Sequence, residues 1–306
     1  MPYSYKVFGL SVESSILCPE LLQNDVADGA DIVIRFGEVP EALENADDAG
    51  ARWQTAPGIY LLNLKRVGRF MVRAGREIVI QPVEPMSEDS IRTFLLSTCL
   101  SIVLHQRKLF ALHVSGIHTE RGAVLFAGHS GAGKSTLVSA FLKRGFQMVS
   151  DDMLALTVDE EDRVRVLPGF PQVKLWADSA EALGRSTEGL RRVLTKFDKF
   201  FAPTVDAFHP QSASLHAIYL LGQHNSPEFS LEPLGQSDRF NGLLDNTWQK
   251  LTLAGLGLRE WHFMTAARIA SHVYSARVTR PQHPFRLAEM TDLIEMDFQR
   301  ELQPLV

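Results

Sequence analysis

The sequence is short of several things, and each shortage excludes a class of protein. It holds two cysteines, Cys18 and Cys99, in 306 residues. That is too few for a disulfide framework or a cysteine-rich zinc site, and it fits a reducing compartment. Basic residues are not in excess: 31 Lys and Arg stand against 36 Asp and Glu, a net charge of −5. Nucleic-acid binding through a bulk basic surface is therefore excluded, and a phosphorylated ligand must be held by local charge. There is no long apolar run. The most apolar helical stretch, Ile91 to Leu104, carries Arg92 and several Ser and Thr, and is too short to span a bilayer. The opening residues, Met1-Pro2-Tyr3-Ser4-Tyr5-Lys6, hold no apolar signal core, so the expectation is a cytoplasmic protein with no membrane partner. At 45% hydrophobic and 22% charged, what remains is a globular chain with an ample core, in one large domain or two ordinary ones. No internal repeat or low-complexity segment interrupts it.

Residues 1–86 read as a small β-rich domain. Strands are expected at Tyr5–Val12 and Asp31–Phe36, then as a meander over 58–64, 69–73 and 77–82 with Gly-containing turns. Ser87 is a good helix N-cap, with Glu88 and Asp89 in the first turn where the helix dipole favours acids. Ile91, Phe94, Leu95, Cys99, Ile102 and Val103 recur at helical spacing, so a buried helix leads into a second domain over 87–306. There, strands are expected at 109–117, 123–127, 146–150, 153–158, 163–167 and 214–221. Helices are expected at 177–197 and, in the C-terminal part (about 236–306), at 236–246, 259–276 and 285–302.

The second domain contains Gly128-His129-Ser130-Gly131-Ala132-Gly133-Lys134-Ser135-Thr136. An apolar run, Ala123 to Ala127, precedes it, and a helical pattern, Leu137 to Arg144, comes after it. In that strand–loop–helix setting the spacing G-x-x-x-x-G-K-S is the phosphate-binding P-loop (Walker A) pattern. Glycines let successive backbone N–H groups converge into an anion cradle, and the helix N-terminus adds its positive end. Lys134 would reach the β- and γ-phosphates of a nucleotide such as ATP, and the Ser135 hydroxyl would ligate Mg²⁺.

Two flanking features narrow this. Only five residues, His118 to Gly122, separate the Leu109–Ile117 strand from the one before the loop. So short a link makes the two antiparallel neighbours, because a parallel crossover needs a dozen or more residues. The core is therefore a mixed sheet rather than an ordinary doubly wound one. After the loop helix, the next strand ends in Asp151-Asp152. Phosphoryl transfer needs a metal ligand and a base for the attacking hydroxyl, and two adjacent carboxylates can supply one each. His113, on the neighbouring strand, is a further candidate, although a lone His in an apolar strand is more often a core residue.

With His113, Gly128–Ser135, Lys143-Arg144-Gly145 and Asp151-Asp152 at these spacings, Leu112 to Leu156 resembles the HPr kinase/phosphorylase family. The resemblance implies an α/β (α+β) fold with a P-loop core of the phosphoenolpyruvate carboxykinase type. It implies ATP and Mg²⁺ as cofactors and phosphorylation of a serine hydroxyl on a peptide or small protein, with a homo-oligomer admitted. By position it makes Asp151 the proton acceptor, His113 an active-site histidine and Ser135 a metal ligand, with Asp152 and the residue at Gln172 on the metal side. The family carries Glu-Ile-Arg-Gly where this chain has Gln172-Val173-Lys174-Leu175, so a neutral residue replaces an acid and the reverse, phosphorylase reaction is not expected. Leu104-His105-Gln106-Arg107, Pro171 to Trp176, and Lys199 ahead of Pro203 are similar to the HPr-kinase-like proteins of lasso peptide biosynthesis, which phosphorylate the precursor's C-terminal serine. On that likeness Lys174 and Lys199 are candidates for positioning the nucleotide or acceptor. The alternatives are an HPr-type kinase, a non-catalytic ATP-binding sensor and a P-loop hydrolase.

Overall fold

The computed structural model describes residues 2–24, 29–177, 180, 186, 188–190, 192, 198–282 and 286–300. The chain divides into two compact units, Met1–Ala111 with Thr247–Thr265, and Leu112–Asn246 with Ala266–Val306. The divisions fall within the short strand β10 (Phe110–Leu112), just after the helix Gln236–Asp245, and within a helix, Arg259–His272. Among the described residues, both units are α/β with large mixed sheets.

The first unit is built on strands β1 (Tyr3–Val7), β2 (Leu10–Ser14), β3 (Leu22–Gln23), β4 (Ile32–Phe36), β5 (Asp48–Ala49), β6 (Trp53–Ala56), β7 (Ile59–Leu64), β8 (Gly68–Arg73) and β9 (Glu77–Pro82). Their order is β3-β1-β2-β4-β9-β8-β7-β6-β5. The β2–β4 and β4–β9 pairs are parallel, and the expected meander β7-β8-β9 is antiparallel. The single strand expected over Tyr5–Val12 is instead a tight hairpin. Phe8 and Gly9 take φ values of 52° and 75°, the pair of positive angles that a type I′ turn requires and that matches strand twist. The Phe8 ring is buried in spite of its backbone.

The helical segment starts where the N-cap predicts: the Ser87 hydroxyl accepts the Ser90 N–H at 3.3 Å. It runs as α1 (Glu88–Phe94), a π-helical turn (Leu95–Cys99) and α2 (Leu100–Gln106). The widened middle turn is not readable from the spacing. Ile91, Leu95, Cys99, Leu100, Ile102 and Val103 are all buried, each aliphatic side chain among them contributing about 1.5–3 kcal/mol by its removal from water.

The second unit holds β11 (Val114–Thr119), β12 (Gly122–Ala127), α3 (Lys134–Lys143), β13 (Gln147–Ser150), β14 (Leu154–Val158), β15 (Val164–Leu167), β16 (Gln172–Trp176), β17 (Lys199–Pro203), β18 (Ala213–His224), β19 (Ser230–Pro233), α4 (Gln236–Asp245), β20 (Tyr274–Pro281) and α6 (Leu287–Gln299), with α5 the divided helix Arg259–His272. β12 is the strand that leads into the glycine-rich loop. It pairs antiparallel with β11, as the short link predicts, and parallel with β18. β13 lies on the far edge of β11, and β20 runs parallel to β18. All six residues of β12 are buried, as befits a strand covered on both faces.

The helix expected over 259–276 ends earlier. Tyr274 begins β20, where Ala276 and Val278 are buried between strand neighbours; a short apolar run does not reveal its period. The helix expected over 177–197 lies almost entirely outside the described residues. Among the described residues no helix is long and apolar enough to cross a membrane.

Candidate active site

The loop leaves β12 at Gly128 and enters α3 at Lys134. Gly128, Gly131 and Gly133 have φ values of 145°, 86° and 101°, a backbone that side chains resist. At Gly128 a Cβ would also lie 2.8 Å from the carbonyl oxygen of Leu221, so glycine is required there on two counts. His129, Ser130 and Gly131 form the tip, where Ser130 and Gly131 are exposed, while Lys134 and Thr136 are buried. The Lys134 ammonium donates to the carbonyls of Gly128 at 2.7 Å and His129 at 3.3 Å. It is thus folded onto the loop's own backbone, with three N–H donors suited to phosphate oxygens placed in the same concavity.

Asp151 and Asp152 come directly after β13 and take different partners. The buried carboxylate of Asp151 accepts three hydrogen bonds: Ser115 Oγ (2.5 Å) and Ser135 Oγ (2.8 Å) on Oδ1, and the Lys174 N–H (2.7 Å) on Oδ2. Asp152 sits at a φ of 73°, a left-handed conformation that short polar residues tolerate. Its Oδ1 lies 3.3 Å from His113 Nε2, and its Oδ2 2.6 Å from the Lys174 ammonium. Burial alone would raise the Asp152 pKa. The Lys174 charge and the hydrogen bond and charge of His113 outweigh it and hold the carboxyl well below the usual range. The Lys174 ammonium also stands 5.7 Å from the centre of the Phe201 ring, within reach of a cation–π contact.

The structure therefore brings together His113, Lys134, Ser135, Asp151, Asp152 and Lys174. Sequence position puts Ser135 and Asp152 on the metal side, with Asp151 as base; in the structure the hydrogen bond from Ser135 goes to Asp151. Gln172 lies two residues before Lys174 and so on the same face of β16. Its Oε1 is buried with no hydrogen-bond partner among the described residues, and an orphaned acceptor of that kind calls for a ligand. A hydroxyl, a carboxylate and an amide oxygen are the hard donors that Mg²⁺ takes, and Mg²⁺ commonly keeps few protein ligands beside phosphate. The residues present fit that ion. Lys199 pairs through its backbone with Trp176; its side chain lies outside the described residues. His118 goes elsewhere, stacked on His209 with ring centres 3.7 Å apart.

Two participants escape a reading of the sequence. Ser115 is one: the single strand expected over 109–117 is broken at His113, which lies between β10 and β11, so the spacing of two does not place the two side chains by strand alternation. Asn246 is the other, and nothing local marks it. Its backbone oxygen accepts the His113 N–H at 2.7 Å, and its Oδ1 accepts the Gly128 N–H at 2.9 Å.

No family model matches the chain, and no curated protein matches it. Among solved structures it is similar to the HPr(Ser) kinase/phosphatase from Coxiella burnetii, at 14% sequence identity and a TM-score of 0.31, with 61% of this chain and 89% of that chain covered.

Proposed function

We propose that the protein transfers the γ-phosphoryl group of Mg²⁺-bound ATP to a serine hydroxyl of a peptide or small protein. One observation carries the reading: two adjacent carboxylates are divided between the loop serine and a histidine. Asp151, buried and accepting from Ser115, Ser135 and the Lys174 N–H, keeps a lone-pair site on Oδ2 for a metal and is suited to orienting Ser135 there rather than to taking a proton. Asp152, with His113 against it and a side chain 21% exposed, is suited to the acceptor side.

In this reading the backbone of Gly128–Thr136 and the Lys134 ammonium hold the β- and γ-phosphates. Mg²⁺, when bound, offsets the charge developing on the transferred group. Ser135 and Asp151, with Gln172 Oε1, are the residues that would hold it. The Asp152–His113 pair accepts the serine proton as the new P–O bond forms and ADP departs, so charge and protons balance. Lys174 keeps Asp152 ionised for that step, and Lys199 is a candidate for contacting the nucleotide. The finer assignment, to the C-terminal serine of a lasso peptide precursor, is supported by the sequence likeness of Leu104–Arg107 and Pro171–Trp176 to that group of kinases. The cytoplasm, where ATP is abundant, fits it.

The test is incubation with Mg²⁺, ATP and a peptide ending in serine, followed by mass spectrometry. A phosphoserine gain of one phosphoryl group, absent from a peptide ending in alanine, is expected. ATP consumption with no phosphopeptide from either lasso-type or HPr-type acceptors would replace this reading with a hydrolase.

A further inference from the structure

Antiparallel strands β11 and β12 remain in register up to the pair Val114 and Ala127. One step further the pair would be His113 and Gly128, but there the strands part: one leads back to β10, the other becomes the phosphate loop. At this fork the His113 and Gly128 N–H groups, both on half-buried residues, turn to a partner outside the hairpin. A single residue satisfies both. Asn246 takes the His113 N–H on its backbone oxygen and the Gly128 N–H on its side-chain oxygen.

Asn246 is itself held. It is the C-terminal cap of α4, with φ −98° and ψ 10°, and its Nδ2 donates to the Gly242 carbonyl at 2.8 Å. That bond orients the amide so that Oδ1 faces Gly128. Helix α4 comes close enough because Gly242 has no side chain: a Cβ there would sit 2.6 Å from Leu220 Cδ1 on β18. β18 is also the parallel partner of β12 and supplies the Leu221 carbonyl that excludes a side chain at Gly128. The end of α4 and the start of the loop are thus fixed to the same strand.

We propose that Asn246 is a positioning residue for the phosphate loop. It clamps the fork of the β11–β12 hairpin, holds the Ala127–Gly128 peptide from which the loop departs, and ties that geometry to the backbone at His113. This rests on the phosphate-site reading of Gly128–Thr136, though not on the identity of the acceptor.

The experiment compares Asn246→Ala with Gln236→Ala. Gln236 anchors the other end of α4 through Ser271 (2.7 Å) and lies at the end of the helix away from the loop. Mg²⁺–ATP affinity is measured by calorimetry, thermal midpoints by fluorescence, and KM and kcat with the serine peptide. Asn246→Ala is expected to weaken nucleotide binding about tenfold, the loss of one backbone-directed hydrogen bond with its donor left unsatisfied. Gln236→Ala should bind as the wild type does. Asn246→Ser, which cannot span to Gly128, gives the same expectation should the alanine variant fold poorly. Unchanged affinity in the folded Asn246 variants overturns the inference, as does an equal loss in Gln236→Ala. A folded wild-type protein that does not bind Mg²⁺–ATP overturns the phosphate site and the inference with it. Binding that depends on Asn246 without phosphopeptide formation upholds the clamp and refutes only the acceptor.

Discussion

His105 and His113 stand eight residues apart in the chain, one in each unit, and the two units treat them in opposite ways. His105 is fully buried. Its Nε2 lies 2.9 Å from the Trp248 carbonyl oxygen, and its neighbours are the Trp261 and His262 rings, with centres 6.3 and 6.2 Å away. His262 in turn stacks on Phe110 at 4.6 Å and meets the Thr247 hydroxyl at 2.9 Å. Burial lowers both pKa values to about 4; these imidazoles are neutral packing elements. His113 is 34% exposed in its side chain and faces the Asp152 carboxylate. The difference lies in the partner, not the residue type. Aromatic rings and a carbonyl make a histidine structural, whereas His113 meets a carboxylate at a partly exposed position beside the glycine-rich loop.

The comparison breaks most easily on the charged side. Asp152→Asn is expected to lower the rate of phosphopeptide formation by about 10²- to 10⁴-fold, the usual value of a positioned base, while nucleotide affinity measured by calorimetry stays near wild type. Asp151→Asn should instead weaken the Mg²⁺ dependence of binding. A variant of Asp152 with full transfer activity would return the base to Asp151.

Acid separates the two regions next. For His105 and His262 the folded pKa lies below the ordinary 6.5. Between pH 6.5 and 4 the unfolded chain binds protons that the folded unit refuses, so stability is full above that window and falls as pH drops through it. The loss is about 3 kcal/mol for each histidine taken singly. Trp248 and Trp261 neighbour these rings, so their fluorescence should report it, and His262→Phe should move the acid midpoint downward. Asp152 titrates over a different range: its depressed pKa contributes stability above its ordinary value of 3.8, lost only as pH falls below that. The smallest effect should come from Lys174→Met. Without the ammonium the Asp152 pKa rises toward its ordinary value, and the acid limb of the pH–rate profile should shift upward, with transfer slowed rather than abolished.

Some of this is legible in the sequence for identifiable reasons. The glycine spacing and its apolar prelude specify a strand–loop–helix, since only that backbone needs glycines there. A five-residue link admits only antiparallel pairing. Ser87 marks a helix start because its hydroxyl has an orphan N–H to satisfy. Other features are not legible. Phe8 takes a positive φ that its side chain argues against, so a hairpin reads as one strand. Tyr274 and its neighbours carry no period in so short a run. Adjacent aspartates are chemically alike, and only the left-handed turn at Asp152 sends the two carboxylates to different partners. Asn246 resembles any helix-ending asparagine until the fork it fills is visible.

The two-residue turn at Glu120-Arg121 sets the register of β11 against β12. Thr119 pairs with Gly122, and the register runs without a slip to Val114 and Ala127. Asp151 arrives from the other edge of β11. There β13 pairs through Gly116 and Ser150, beyond a register shift between Gly116 and Ile117, so Ser115 and Asp151 come next in line. β11 thus carries two registers into one site: the turn with β12 fixes where the glycine-rich loop begins, and the irregular pairing with β13 fixes where the carboxylates lie.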